Sequence, residues 1–176
     1  MIGLSPGATE TERLLLVPWS DECFDGFAAL CADPEAMAFI SRGEPPPRAV
    51  VEDIHRRTLG MWRDYGFGPW AAIEKGSGRW IGRIGLNLLA DWPGADKWEV
   101  GYELLPAAWG NGFATEGARH TVRFAWERTP LNRIISVTGP DHAASRRVME
   151  KAGLTFQQEV DFRGTTVVWY AIDRPR

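Results

Sequence analysis

The stretch Leu104-Leu105-Pro106-Ala107-Ala108-Trp109-Gly110-Asn111-Gly112-Phe113-Ala114-Thr115-Glu116-Gly117 restricts the folds open to this chain more than any other. An apolar run from Trp98 to Leu105 precedes its core with strand composition, and residues with helical spacing follow up to Thr129. A glycine-rich turn therefore joins a strand to a helix start. The first turn of a helix carries unpaired backbone N–H groups and the positive end of the helix dipole. Gly110 and Gly112 have no side chain to keep a ligand from that backbone. The junction is a candidate phosphate cradle, with an ordinary glycine-rich helix cap as the alternative.

Among phosphate motifs, Walker A requires a lysine that this turn lacks. The dinucleotide fingerprint Gly-x-Gly-x-x-Gly fails at its third glycine, where Thr115 stands, and the strand ends too early for that tight turn. The remaining pattern, Trp109-Gly110-Asn111-Gly112-Phe113-Ala114 with Pro106 three residues upstream, resembles the pyrophosphate loop of the GNAT superfamily of acetyl-coenzyme A-dependent N-acetyltransferases. Thr11-Glu12-Arg13-Leu14 and Glu150-Lys151-Ala152-Gly153-Leu154 extend the resemblance over nearly the whole chain. Trp109 replaces the Gln or Arg that usually opens the loop, a substitution common in the branch of Rim-type ribosomal-protein N-terminal acetyltransferases.

The resemblance implies an α/β (α+β) fold of the GNAT type, with a central mixed, mostly antiparallel sheet of about seven strands flanked by about four helices. It also implies acetyl-CoA as co-substrate, held at the backbone of Tyr102, Glu103 and Leu104 and at the loop residues Trp109, Gly110, Asn111, Gly112, Phe113, Ala114 and Thr115.

With 176 residues, 44% of them hydrophobic, the chain suffices for one domain, expected over 11–174 behind a loose tail over 1–10. A formal charge of −3 without a basic block argues against nucleic acid. There is neither an apolar run of about 18 residues nor a basic-then-apolar start, so no membrane partner and a cytoplasmic location are expected. Cys23 and Cys31 fall in one expected helix, about 12 Å of rise apart and too far for a disulfide. The histidines and cysteines show no ligand spacing, so no metal is expected. Both a monomer and a homodimer remain open.

In order along the chain, Glu12 to Val17 reads as a strand, and Ser20 offers a cap for a helix ending near Asp33-Pro34. Glu35 to Ile40 offers a short second helical piece. From Pro47 the residues Val51, Ile54, Thr58, Met61, Trp62 and Tyr65 share a helical face. Trp70 to Glu74 and Arg79 to Leu88 form a hairpin around Lys75-Gly76-Ser77-Gly78. After the glycine loop, Ala114, Ala118, Val122, Ala125 and Trp126 mark a buried helical stripe, with Glu116, Arg119, His120, Arg123 and Glu127 on the polar side. Arg133 to Thr138 is a strand, Ala143 to Ala152 a helix, and Thr155 to Phe162 with Thr165 to Ile172 a hairpin turned at Arg163-Gly164.

Acyl transfer to an amine needs a positioned thioester, a neutral amine, an oxyanion donor and a proton for the departing thiolate. By the resemblance, the base is Glu99, with Glu103 as second choice, and a surface or ion-paired carboxylate is the alternative for Glu99. One modest carboxylate suits an α-amine, which titrates near 8, better than a lysine amine near 10.4. The second motif, Pro140 to Leu154, resembles the family's Asn-x-x-Ser segment, which bonds the pantetheine arm. His142 stands at the Asn position and Met149 where many members carry a tyrosine acid, so Ser145 inherits the acid role as well as a cofactor contact. A helix-cap hydroxyl is its alternative. As an imidazole titrating near 6.5, His142 is expected to change charge within the physiological range.

Three functions follow from these residues. The first is acetyl transfer to a peptide amino terminus or a small amine. The second is acetylation of an aminoglycoside or polyamine seated by Glu44, Asp91 and Asp161. The third is a binding module for acyl-CoA that has no acceptor. The loops expected to select an acceptor are Ser41 to Pro47 and Ala90 to Lys97.

Overall fold

Period-2 alternation along each strand divides the sheet into two buried faces, and a different set of helices covers each. In this computed structural model residues 7–40 and 43–176 are described, so residues 1–6 of the expected tail, and Ser41 and Arg42, lie outside the account. The strands are β1 (Thr9–Glu10), β2 (Leu14–Pro18), β3 (Pro69–Glu74), β4 (Trp80–Leu88), β5 (Trp98–Leu104), β6 (Arg133–Thr138), β7 (Thr155–Phe162) and β8 (Thr165–Asp173). The helices are α1 (Phe24–Ala32), α2 (Pro34–Met37), α3 (Arg48–Tyr65), α4 (Phe113–Arg128) and α5 (Ala143–Lys151).

One sheet runs β1-β2-β3-β4-β5-β6-β8-β7. Neighbours pair antiparallel except β5 and β6, which are parallel. This is the expected mixed, mostly antiparallel sheet with one more strand and one more helix than expected. The added strand, β1, lies within the stretch read as a loose tail: Thr9 pairs with Leu16 and Glu10 with Leu15. The carbonyl of Gly7 accepts from the Trp70 indole at 2.9 Å.

On one face, Ile84, Leu86, Val100, Leu104, Ile134 and Tyr170 meet α4 and α5. Gly117 lets α4 approach, since a Cβ there would lie 2.5 Å from Ile84 Cδ1. His120, expected on the polar side of α4, is buried and bonded to Thr9 Oγ1 at 3.0 Å. The added strand β1 covers it. On the other face Ala71 meets Phe27, Leu30, Cys31, Met37 and Val51 of α1, α2 and α3.

Local chemistry sets the helix ends. Asp33 caps α2 by accepting from the N–H of Glu35 at 2.8 Å and of Ala36 at 3.2 Å, with Pro34 in the first turn. Gly66, at φ +74, closes α3 through its N–H to the Trp62 carbonyl. Ser20 makes no cap bond, and Cys23 lies in a 3-10 turn ahead of α1 instead of sharing a helix with Cys31. Both thiols are free and buried. Arg163 and Gly164 both have positive φ, the geometry that turns a two-residue hairpin.

Candidate active site

Between β5 and the first turn of α4, Pro106–Ala108 forms a 3-10 turn, and Gly110 (φ +74) and Gly112 (φ +82) take left-handed conformations. Gly112 is the cap residue of α4. Access alone therefore does not explain this glycine: valine at φ +82 would be strained whatever the space. Asn111 holds the loop by donating to the carbonyls of Ala108 and Trp109 at 3.3 and 3.0 Å. Trp109 is exposed and donates its indole N–H to the Leu104 carbonyl at 2.8 Å, tying the loop back to the end of β5. The Phe113 side chain is buried in the core, so only its backbone faces a ligand, while Ala114 and Thr115 are half-buried. The N–H groups of this first turn remain for an anion.

Arg13 braces the loop from outside. It donates to Glu116 Oε2 at 2.7 Å and to the Asn111 carbonyl at 2.8 Å, and its guanidinium lies 4.8 Å from the Phe113 ring centre. Glu116, on the polar side of α4 as its spacing predicts, accepts from Arg13 and from the hydroxyl of Thr11. Those partners hold its carboxyl below the usual carboxylate range, against burial, which pushes it up.

The parallel strands β5 and β6 are in register only at Glu99 and Ile135. Ser136 Oγ then donates to the Val100 carbonyl at 2.8 Å, and beyond that point the strands do not pair. The β5 edge from Gly101 to Leu104 thus borders a wedge where an extended arm can add like a strand. Acetyl-CoA fits these observations: a glycine cradle at a helix start for its pyrophosphate and an unpaired strand edge for its arm.

Alternation places the two kinds of chemistry on opposite faces. Tyr102 points toward α5, where its hydroxyl donates to the Ser145 carbonyl at 2.9 Å and lies 2.9 Å from Ser145 Oγ. Since the tyrosine proton serves that carbonyl, the Ser145 hydroxyl donates to Tyr102 Oη. Burial pushes the Tyr102 hydroxyl well above its ordinary range. Ser145 is buried and in the first turn of α5, but its hydroxyl bonds tyrosine and does not cap the helix.

Glu99 and Glu103 lie on the other face, in register with Asn87 and Arg83 of β4. Their surroundings differ. Glu103 is held by both forks of Arg83, Nε to Oε2 at 2.8 Å and Nη2 to Oε1 at 2.9 Å. Arg83 is buried over the Phe27 ring at 4.6 Å. Burial pulls its guanidinium down, but Glu103 outweighs that and the net shift is upward. Glu99 has one neutral partner, Asn87 Nδ2, at 2.9 Å. Burial pushes its carboxyl up to about 7, against the lowering effect of that bond.

His142 is the cap residue of α5, without a side-chain cap bond. Among the described residues its buried Nδ1 has no partner, which leaves a ring nitrogen that a cofactor amide can pair. Phe39 stacks on the ring at 4.3 Å. Burial lowers the imidazole's pKa, so the ring takes up its proton at a lower pH than an exposed histidine does. Met149, at the position of the family's tyrosine, is a buried core residue.

Asn87, Arg83, Arg13 and Phe39 escaped sequence reasoning as site residues. For the first two a signal existed: Arg83 and Asn87 are four apart, as are Glu103 and Glu99. Reading it needed the register across the connection from Leu89 to Lys97, which is too long for its Pro93-Gly94 turn signal to set.

The family model described as "Acetyltransferase (GNAT) domain" matches residues 13–155. A curated relative from Aspergillus fumigatus, FsC-acetyl coenzyme A-N(2)-transacetylase, is 33% identical over 154 residues, which are 82% of this chain and 63% of that protein. The match therefore spans less than two thirds of that relative's length. An acetyltransferase structure from Agrobacterium tumefaciens str. C58 superposes with a TM-score of 0.81 at 24% identity, over 98% of this chain and 97% of that one. The ribosomal L7/L12 α-N-protein acetyltransferase RimL, in complex with coenzyme A, gives a TM-score of 0.74 at 13% identity over 93% and 95%. At such identities these two likenesses speak to the fold. The matched domain contains both the glycine loop and the wedge, and the chain belongs to the GNAT acetyltransferase family.

Proposed function

We propose that this protein is an acetyl-CoA-dependent N-acetyltransferase whose acceptor is a weakly basic primary amine, the α-amine of a peptide amino terminus or of a small amino-acid-like molecule. Acetyl-CoA supplies an activated acetyl thioester. The chain supplies first-turn amides of α4 for the pyrophosphate, the free edge of β5 for the arm, and His142 Nδ1 as a further cofactor contact. Glu99 takes the proton of the amine, and Ser145, backed by the Tyr102 hydroxyl, offers a proton from the opposite face of β5. A thiolate is a fair leaving group, so Ser145 assists without being indispensable.

The single observation carrying the acceptor class is the state of Glu99. A carboxyl near 7 lies about one unit below an α-amine and more than three below a lysine amine, and each unit is worth about 1.4 kcal/mol of proton transfer. The Aspergillus relative, named for transfer from acetyl coenzyme A to an N(2) nitrogen, supports a nitrogen acceptor. The carboxylates that would seat a polyamine or aminoglycoside are mostly engaged. Asp91 is held by both forks of Arg163 at 2.7 Å, and Asp161 accepts from the Gly164 N–H at 3.2 Å.

Thiol release from acetyl-CoA, measured with a short peptide, an amino-terminally blocked lysine and spermidine, tests the reading. The peptide should lead in kcat/KM by about 10²-fold or more, the scale on which base strength is felt. Preference for the lysine side chain or for spermidine would overturn it.

A further inference from the structure

Gly85 and Gly101 face each other across β4 and β5, in the row between the Asn87–Glu99 and Arg83–Glu103 pairs. They are glycines for different reasons. Gly85 has φ +153, and a Cβ there would lie 2.7 Å from the Gly68 carbonyl oxygen and 2.8 Å from Pro69 Cα, so the backbone requires it. Gly101 is under no such demand. It is not among the positive-φ glycines, and an added Cβ would meet nothing nearer than 3.8 Å, the atoms at that distance being Asn87 Cβ and Glu99 Oε1. Glycine within a strand costs stability and leaves no side chain to pack. The fold has room for a methyl at Gly101, but that methyl would stand against the Glu99 carboxylate.

The patch also lies where the chemistry needs space. An amine giving its proton to Glu99 must come within hydrogen-bond reach of that oxygen, directly or through one water. To one side, Glu103 is paired with Arg83, whereas Glu99 is hydrogen-bonded to the neutral Asn87 amide, with the charges of Glu103, Arg83 and Arg163 also acting on it. An amine that reaches this side of Gly101 therefore meets a carboxylate that is not locked in a bidentate arginine pair. Toward β6 the patch opens onto the wedge, because pairing there stops at Glu99 and Ile135.

We infer that the open side of Gly101, beside the Glu99 carboxylate, seats the reacting amine and the carbon that bears it, and that Gly101 determines how much substitution on that carbon is admitted. The inference deepens the α-amine reading and rests on it for the choice of acceptors. Glycinamide and valinamide differ at that carbon alone, so the pair measures the seat.

Thiol release from acetyl-CoA is followed with each amide in the wild type and in Gly101→Ala. In the variant, kcat/KM for valinamide should fall about tenfold or more beyond the fall for glycinamide, the discrimination that one or a few methyl groups provide. Any change in cofactor binding falls on both amides alike and cancels in their ratio, and the melting temperature should not drop. Glycinamide titrated into ¹⁵N-labelled wild type saturated with CoA should also move the amide signals of Gly101 and Glu99. Equal losses for the two amides, or signals at Gly101 and Glu99 that stay in place, would overturn the seat. So would a variant that now separates propionyl-CoA from acetyl-CoA equally with both amides, since the patch would then hold the acyl chain. No turnover of either amide with the signals still moving would remove the α-amine reading and leave the seat intact.

Discussion

Glu99 and Glu103 sit on one face of one strand, four residues apart, and the protein treats them in opposite ways. Glu103 lies toward the glycine loop, gripped by a buried arginine in a bidentate pair that satisfies both of its oxygens. Glu99 lies where β5 and β6 part, half-buried beside a neutral amide, and burial lifts its carboxyl to about 7. A carboxylate locked to a guanidinium is a structural member, because taking up a proton would strand the buried cation. One held by a neutral amide can exchange its proton near neutrality. Identity and strand position are shared, so the partners on β4 divide the roles.

Changing Glu99 tests that division most severely. Glu99→Gln should lower turnover at pH 7 by about 10²-fold or more, with the deficit shrinking as pH nears the acceptor's own pKa. Wild-type turnover should rise with pH through about 7, as Glu99 ionises. Stability should show the opposite trend. The carboxyl binds its proton more tightly folded than unfolded, so between its ordinary 4.5 and about 7 the native state loses stability as pH rises. The Gln variant lacks that decline, and melting temperatures at pH 5 and pH 8 would reveal it. An unchanged rate profile would break the comparison by moving the base to Glu103 or to solvent.

A stability measurement probes the other end of the strand face. Glu103→Gln leaves the Arg83 charge buried and unanswered, which should cost about 3 kcal/mol, the low end for a broken buried pair because Glu103 keeps 23% exposure. Denaturant unfolding reads this directly, and replacing both partners by Arg83→Met with Glu103→Leu should recover much of the loss. If Glu103→Gln leaves stability intact and turnover falls instead, the two carboxylates have exchanged roles.

The smallest effect belongs to the opposite face. Ser145→Ala should reduce turnover by about tenfold, since a thiolate titrating near 8.5 leaves tolerably without an acid. CoA affinity in the same variant, measured by calorimetry, separates the proton from the binding contact. A loss near 10⁴-fold would put the main catalytic burden on Ser145 and Tyr102 and reduce the contrast within β5 to a detail.

Periodicity and turn chemistry carried most of the element order. The apolar run before Pro106, the helical stripe after Gly112 and the Arg163-Gly164 turn are all local patterns, and each is seen within a residue or two of where it reads. The glycine loop is legible for the same reason, because a helix start and its two left-handed glycines are properties of consecutive residues. Thr9–Glu10 was not legible: two residues carry no period, and only pairing with β2 makes them a strand. Ser20 has the extended backbone of a cap, yet its hydroxyl lies 3.7 Å from Cys23 Sγ and makes no cap bond, a side-chain direction that residue type does not show.

Local sequence was enough for a strand, a phosphate-ready turn and a helix, with Glu99 and Glu103 both on the strand. Tertiary structure decided which carboxylate is free. Asn87 and Arg83 reach Glu99 and Glu103 only through the register of β4 on β5, fixed by packing on both sheet faces, because the connection is too long for its Pro93-Gly94 turn to set it. Burial then set the proton affinities of Glu99 and His142. Desolvation sums over neighbours from every element around a group, and no local stretch of chain contains that sum.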